Sequence, residues 1–404
     1  MAPKALEGIR VLDLTQIYAG PYCSMLFADM GAEVIKIEPP RGELIRDNPP
    51  LVKEGEGGPH DRSRSGYFLT LNRNKYGITL NLKHPKAVGF FKELVKIGDI
   101  VLENNAPGVM KRLGIDYPVL KEINPRIIMC SISGFGQSGP NSERISFDVL
   151  AQAMSGLMSI TGYPDGPPTR VGTSLGDVNA AVHAAFAMMT ALWYREKTGV
   201  GQYIDVSMQE TMISILEGGI VRWTIGKELL TPIGSMNPHE APMAAFRCKD
   251  GYIIIATVGD EHWQRFCRAI SRPDWAADPG YRTKRQRWEK KYILQEEIEK
   301  WTSPRTVKEV GEIMDRERVA NSPILNIRQV VDDPHLKERG YFAEIEHPLI
   351  GKAKIPGIPF KLSETPGKVE SPSPLIGEHN ELILGKYLGL SKSEVSQLKA
   401  DGVL

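Results

Sequence analysis

Residues 9–38, IRVLDLTQIYAGPYCSMLFADMGAEVIKIE, decide the fold. Ile9–Leu14 is a short apolar run of strand length. Gly20-Pro21 opens a helix to about Met30, and Glu33–Glu38 is a second strand. A strand, a helix and a strand in such quick succession predict a parallel pair joined by a crossover, and so a doubly wound α/β sheet. No GxGxxG follows the first strand, which argues against a nicotinamide or flavin dinucleotide.

The alternation continues outward. Residues 39–66, rich in Pro, Gly and charge, predict a long surface loop that is either a crossover or a lid. Tyr67–Leu82 carries two strand-like pieces around Asn72-Arg73-Asn74-Lys75, a turn that is either solvated or a grip on phosphate. Pro85–Ile97 reads as a helix and Asp99–Glu103 as a strand. Asn104-Asn105-Ala106-Pro107-Gly108 then leads into a short helix bearing Lys111 and Arg112. Arg126–Ser133 is a further strand ending in a glycine-rich turn, and Phe147–Ile160 looks helical. In open α/β sheets ligands sit at the C-terminal ends of strands, which directs attention to these loops.

Asp177 opens an apolar helix, with Val178, Ala181, Val182, Ala185, Met188, Met189 and Leu192 at helical spacing and Gly199 as the stop. At a helix start its carboxylate is either a cap for free N–H groups or a nucleophile beside them. Tyr203–Ser207 predicts the last strand of this half, and Met208–Ile225 one long helix with a core-facing apolar side. The texture changes after Gly226: a hairpin over Ala244–Val258 and helices near 260–270, 288–302 and 306–318 predict a small α+β domain at 226–325. Residues 326–404 then return to the large domain that begins at 1–225.

At 404 residues two domains are expected, and 50 Lys+Arg against 49 Asp+Glu gives no global charge for nucleic acid or membrane. Cys23, Cys130, Cys248 and Cys267 make no CxxC pair, so no metal site is implied; reduced thiols in a cytoplasmic protein are expected.

Several stretches carry a resemblance: LEGIRVLDLTQIYAGPYCSMLFADMGAEVIKIEPP at 6–40, LNRNKYGITLNL at 71–82, VLENNAPGVMKRLGIDYPVLKEINPRIIMCSISGFGQSGP at 101–140, VGTSLGDVNAA at 171–181 and PLIGEHN at 374–380. In order and spacing the chain resembles the class III CoA-transferase family nearly end to end. The resemblance implies a Rossmann-like doubly wound sheet domain plus a smaller α+β domain, in an interlocked, ring-like homodimer. It implies that Asp177 attacks an acyl-CoA, giving an aspartyl anhydride and then an aspartyl-CoA thioester. Positions matching the family's CoA contacts are Tyr18, Ala19, Arg41, Asn72, Lys75, Asn104, Asn105, Ala106, Arg112, Ser133 and Phe135. Coenzyme A enters as substrate, with no tightly bound cofactor.

Formyl-CoA transferases of the family carry Gln at Tyr18, a basic residue at Pro39, and Lys and Tyr at Ser133 and Phe135; Arg41 stands near enough to supply the missing charge. Their glycine-rich lid is replaced by GSMNPHEAP at 234–242, which disfavours oxalate and formate. A succinyl-CoA-type donor and a dicarboxylic or aryl-substituted acceptor fit the family better, with Arg170, Arg222 and His239 as candidates to hold a distal carboxylate. Three rivals stand beside transfer between acids: an acyl-CoA racemase, CoA transfer within one dicarboxylic acid, and a non-catalytic subunit of a heteromeric transferase. Phe147-Asp148, where racemases place a His-Asp pair, argues against the first.

Overall fold

Six short apolar runs build one parallel sheet: β1 (Arg10–Asp13), β2 (Glu33–Glu38), β3 (Tyr76–Thr79), β4 (Ile100–Glu103), β5 (Ile128–Ser133) and β6 (Tyr203–Ser207). The computed structural model describes residues 4–51 and 65–404, so the loop expected at 39–66 falls partly outside the described residues. Strand order is β3-β2-β1-β4-β5-β6, with every pairing parallel. Leu12 lies level with Ile35 on one side and Val101 on the other, and Val101 with Met129.

Successive strand residues point to opposite faces, and both faces are covered. Leu12, Ile35, Val101 and Met129 meet Phe91 and Leu94 of the helix Pro85–Ile97, together with Ile383, Leu384, Val395 and Leu398 from the C-terminal helices. Val11, Val34, Ile100 and Ile128 meet the first helix, Ala19–Asp29, and the helix Leu175–Thr198. Val403 and Leu404 are themselves buried in the first of these layers, and Val403 O accepts from Asn81 N at 2.8 Å.

The helix Leu175–Thr198 is long and apolar enough to cross a membrane, with a mean hydropathy of 1.2 over its best window. Its composition has another cause: Ala180, Ala181, Ala184, Met188 and Ala191 are sealed against the first helix and β5, where small side chains allow close approach. Gly199 ends it at φ +75°, donating its N–H to Arg195 O at 2.7 Å.

Two compact units divide the chain: residues 1–157, 170–218 and 337–404 form one, and 158–169 with 219–336 form the other. The second has an antiparallel sheet of β7 (Met243–Arg247), β8 (Tyr252–Ala256) and β9 (Ala320–Pro323) over a core that includes Phe246, Ile255, Trp263, Phe266 and Met314. In the first unit a hairpin, β10 (Phe342–His347) with β11 (Gly351–Pro356), packs Ile345 and Ile355 on Leu69. All four cysteines are free and buried.

Three local expectations are corrected. Residues 66–72 form a helix rather than a strand, begun by Ser65, whose Oγ accepts from Phe68 N at 3.2 Å. The helix expected over 147–160 breaks at Ser155-Gly156, with Gly156 at φ +90°. The single helix expected over 208–225 is two, Met208–Ile213 and Gly219–Gly226, and the second leaves Ile220, Val221, Trp223 and Ile225 exposed instead of facing a core.

Candidate active site

Strand order reverses between β1 and β4, so the loops leaving them diverge and open a crevice at their C-terminal ends. Asn104, just past β4, ties the two loops together. Its Oδ1 accepts from Gln16 N and its Nδ2 donates to Gln16 O, both at 2.8 Å. Ile17 follows at φ +69°, its N–H held by Glu43 Oε2 at 2.6 Å. Gly20 is required by close approach, since a Cβ there would fall 2.2 Å from Thr15 Cγ2. The result is a cleft of about 450 Å³, entirely within the first unit.

Asp177 faces this cleft from the first turn of the helix Leu175–Thr198. The capping role left open by the sequence is not what the structure shows. Ser174 holds the N-cap position, and no donor among the described residues bonds the Asp177 carboxylate. The first turn is capped instead by Asp148, whose Oδ1 accepts from Gly176 N at 2.7 Å. Gly176 leaves room for this, because a Cβ there would stand 3.1 Å from Asp148 Oδ1. Gln152 Nε2 donates to both Asp148 oxygens at 3.1 and 2.9 Å, and Gln152 Oε1 accepts from Val171 N at 3.0 Å.

Burial, and then the neighbouring Asp148 anion, push the Asp177 carboxyl up from 3.8 to about 7. Burial also pushes the Tyr18 hydroxyl up to about 12, with Tyr67, Tyr22 and Asp177 adding to it. A carboxylate that solvent serves poorly and no protein donor stabilises is more reactive toward an electrophile than one held in a cap.

Of the residues expected to hold CoA, Tyr18, Ala19, Asn104, Asn105, Ala106 and Ser133 line the same cleft as Asp177. Ser133 Oγ is buried there with no hydrogen-bond partner among the described residues. Phe135 lies behind the lining, 8% exposed, with the Arg144 guanidinium 5.8 Å above its ring. Arg112 is exposed on the short helix that follows the Asn104–Pro107 loop, and Arg41 is exposed on the turn after β2; neither lines the cleft.

Asn72 and Lys75 are not brought to it. Both are buried in the turn before β3: Lys75 Nζ meets Asp13 Oδ2 at 3.1 Å, Pro21 O at 3.0 Å and Asn72 Oδ1 at 2.9 Å. The neighbouring Arg73 is committed to Asp29, with Nη2 at 2.6 Å from Oδ2. Asn72, Arg73 and Lys75 of this turn are therefore buried and held by one another and by Asp13 and Asp29, while Asn74 and Lys75 also line a separate cleft of about 540 Å³. Burial alone would raise the Asp13 carboxyl, but Lys75, Lys36, Ser24 and Thr15 outweigh it and hold it at about 2.

The candidates for a distal carboxylate separate as well. Arg222 and His239 belong to the second unit, where Arg222 pairs with Glu228 at 2.8 Å and lies against the His239 ring. Arg170 lines the cleft, with Nη2 3.7 Å from Asp148 Oδ2. The sequence reading missed Arg144 and Gln152, and it used Asp148 only as the neighbour of Phe147. The acidic first turn of the helix Asp148–Met154 was the available signal, but no spacing rule joins it to Gly176.

A profile of the family described as CoA-transferase family III matches residues 6–380. The succinyl-CoA:mesaconate CoA-transferase of Haloarcula marismortui is 39% identical over 385 residues, covering 94% of this chain and 96% of that protein. The formyl-CoA:oxalate CoA-transferase of Streptomyces coelicolor is 36% identical, covering 100% of each, and the succinyl-CoA:glutarate CoA-transferase of Homo sapiens is 34% identical, covering 99% and 90%. Among solved structures, a CAIB/BAIF family protein from Brucella suis superposes with a TM-score of 0.85 at 30% identity, covering 95% of this chain and 99% of that one.

Proposed function

The chain belongs to CoA-transferase family III and is an enzyme of that type, and from that premise we propose that it moves CoA from a succinyl-CoA-type donor to a dicarboxylic acid through covalent chemistry at Asp177. One observation carries the proposal: a carboxylate that no donor among the described residues bonds lines the switch-point cleft.

An Asp177 oxygen attacks the thioester carbonyl carbon, the C–S bond breaks, and CoA leaves as thiolate, giving a mixed anhydride. The thiolate attacks the Asp177 acyl carbon, releasing the donor acid as carboxylate and leaving an aspartyl thioester. The acceptor carboxylate repeats these steps in reverse order. Charge and protons balance without a general acid, which suits a cleft whose charged side chains are two aspartates and two arginines.

Each attack develops an oxyanion that needs donors. The N-terminus of the first helix meets the cleft at Ala19, where first-turn N–H groups lack intrahelical acceptors. The Ser133 hydroxyl is a further unclaimed group. Tyr18, Asn105 and Ala106 line the passage for pantetheine, and exposed Arg112 meets phosphate beyond it. The racemase alternative is disfavoured, since Phe147 stands where a second base is needed and Asp148 is committed to Gly176 and Gln152.

A self-associated enzyme also accounts for the exposed stripe Val182, Phe186, Met189 and Trp193 on the helix Leu175–Thr198. To test the chemistry, the enzyme is incubated with succinyl-CoA, quenched with hydroxylamine and digested for mass spectrometry. A hydroxamate at Asp177 is expected. An unlabelled Asp177 under turnover conditions refutes the proposal, as does undiminished turnover by Asp177→Ala.

A further inference from the structure

We propose that Arg170 is the specificity-determining residue of this cleft and holds the second carboxylate of a short dicarboxylic acid, whether that acid arrives free or as its CoA monothioester. The inference rests on the CoA-transfer reading and adds to it which side chain selects the acid.

The geometry begins at the nucleophile. The amide preceding Asp177, that of Gly176, donates to Asp148 Oδ1 at 2.7 Å, and the other oxygen of Asp148 lies 3.7 Å from Arg170 Nη2. Arg170 is thus one carboxylate away from the turn that carries Asp177. A separation of 3.7 Å is an ion pair without a hydrogen bond. Among the described residues the guanidinium makes one hydrogen bond, from Nε to Val171 O at 3.2 Å. The side chain is 49% exposed. Its two terminal nitrogens make no hydrogen bond among the described residues and the side chain lines the cleft, so the fork is available to match a carboxylate bidentately.

The position separates an acid from the phosphates of CoA. The pantetheine arm keeps the diphosphate many bonds from the thiol, so a cation beside the reacting centre reads the acyl part. Charge leads to the same assignment. Arg144 and Arg170 balance Asp148 and Asp177 in the free cleft. Acylation makes Asp177 neutral, which leaves two arginines against one aspartate. A carboxylate on the acyl group itself fills that surplus, whereas the acyl group of a monocarboxylic acid does not. Donor acid and acceptor acid use the same place in turn, so one side chain selects both.

Glutarate and valerate have five carbons each and differ by one carboxylate. Initial rates are measured with the full chain for both acids as acceptors, and for glutaryl-CoA and valeryl-CoA as donors. The wild type prefers the dicarboxylic member of each pair. Arg170→Met is expected to lower that preference by about 30-fold, a range typical of a charge-assisted hydrogen bond, and equally on the donor and acceptor sides. Arg170→Lys, which keeps the charge and loses the fork, falls between. Hydroxylamine labelling of Asp177 by valeryl-CoA in Arg170→Met shows that the site is still assembled. An unchanged ratio, or a wild type that favours valerate, overturns the assignment while CoA transfer stands. A wild type that transfers CoA to no acid overturns the CoA-transfer reading and this proposal together.

Discussion

Asp177 stabilises the reaction at the expense of the fold, and the cost depends on pH. Its carboxyl titrates near 7 in the folded chain against 3.8 in the unfolded one. Below 3.8 both states hold the proton, and the group contributes nothing to stability. Between those values the unfolded chain releases the proton while the folded chain keeps it, so stability falls as pH rises. Above 7 the deficit is constant. The full shift corresponds to about 4 kcal/mol at about 1.4 kcal/mol per unit. Water reaching the open cleft reduces this to roughly half. Asp177→Asn keeps the shape and removes the charge, so the variant is expected to be the more stable protein. Its advantage grows by about 1 kcal/mol between about pH 5 and about pH 8, or roughly 1–2 °C in melting temperature. Paired calorimetric scans of wild type and variant across that range provide the measurement. An advantage that is absent, or that shrinks as pH rises, refutes the placement of this carboxylate in a poorly solvated, donor-free site.

Three further outcomes are expected. Since only ionised Asp177 attacks, kcat/KM for an acyl-CoA rises with pH through about 7, and Asp148→Asn moves that limb toward acid by removing the adjacent anion; a limb that stays put in pH-rate profiles contradicts the coupling. Lys75→Met leaves Asp13 buried without its nearest cation and costs about 3 kcal/mol in urea unfolding, while hydroxylamine labelling of Asp177 persists; a raised KM for CoA at unchanged stability assigns Lys75 to the ligand instead. Phe186→Lys with Trp193→Lys yields a species of one chain's mass by light scattering if the stripe on the helix Leu175–Thr198 is a self-association surface; an unchanged mass removes that role.

The opening strand, helix and strand were legible because two short apolar runs, the mark of strands buried on both faces, flank a helix opened by Gly20-Pro21. The crevice followed from strand order, a rule about topology that the βαβ alternation already contains. Residues 66–72 were not legible, since YFLTLN suits a strand or a helix and the Ser65 cap decides only in context. The break within 208–225 escaped because its apolar side faces outward, whereas periodicity reports a stripe without saying what covers it. At the site, Asp177 was found through its helix start and its resemblance. The partnership of Gly176, Asp148 and Arg170 was invisible because it joins segments that only the fold makes neighbours. The turn at Asn72–Lys75 misled for a related reason: its polar surface signature belongs to side chains that are ion-paired inside.

One apolar layer of the parallel sheet is closed by Ile383, Leu384, Val395, Leu398, Val403 and Leu404, which follow residues 219–336 of the other unit in the chain. During synthesis the six strands emerge with that side covered only in part, by the helix Pro85–Ile97 and residues near it, and more than a hundred residues are translated before the rest of the cover arrives. The nascent protein therefore has an obligatory interval in which the late unit matures while the early one stays sticky. In that interval ribosome pausing or a scarcity of holding chaperones sets the yield of native enzyme, independently of its final stability.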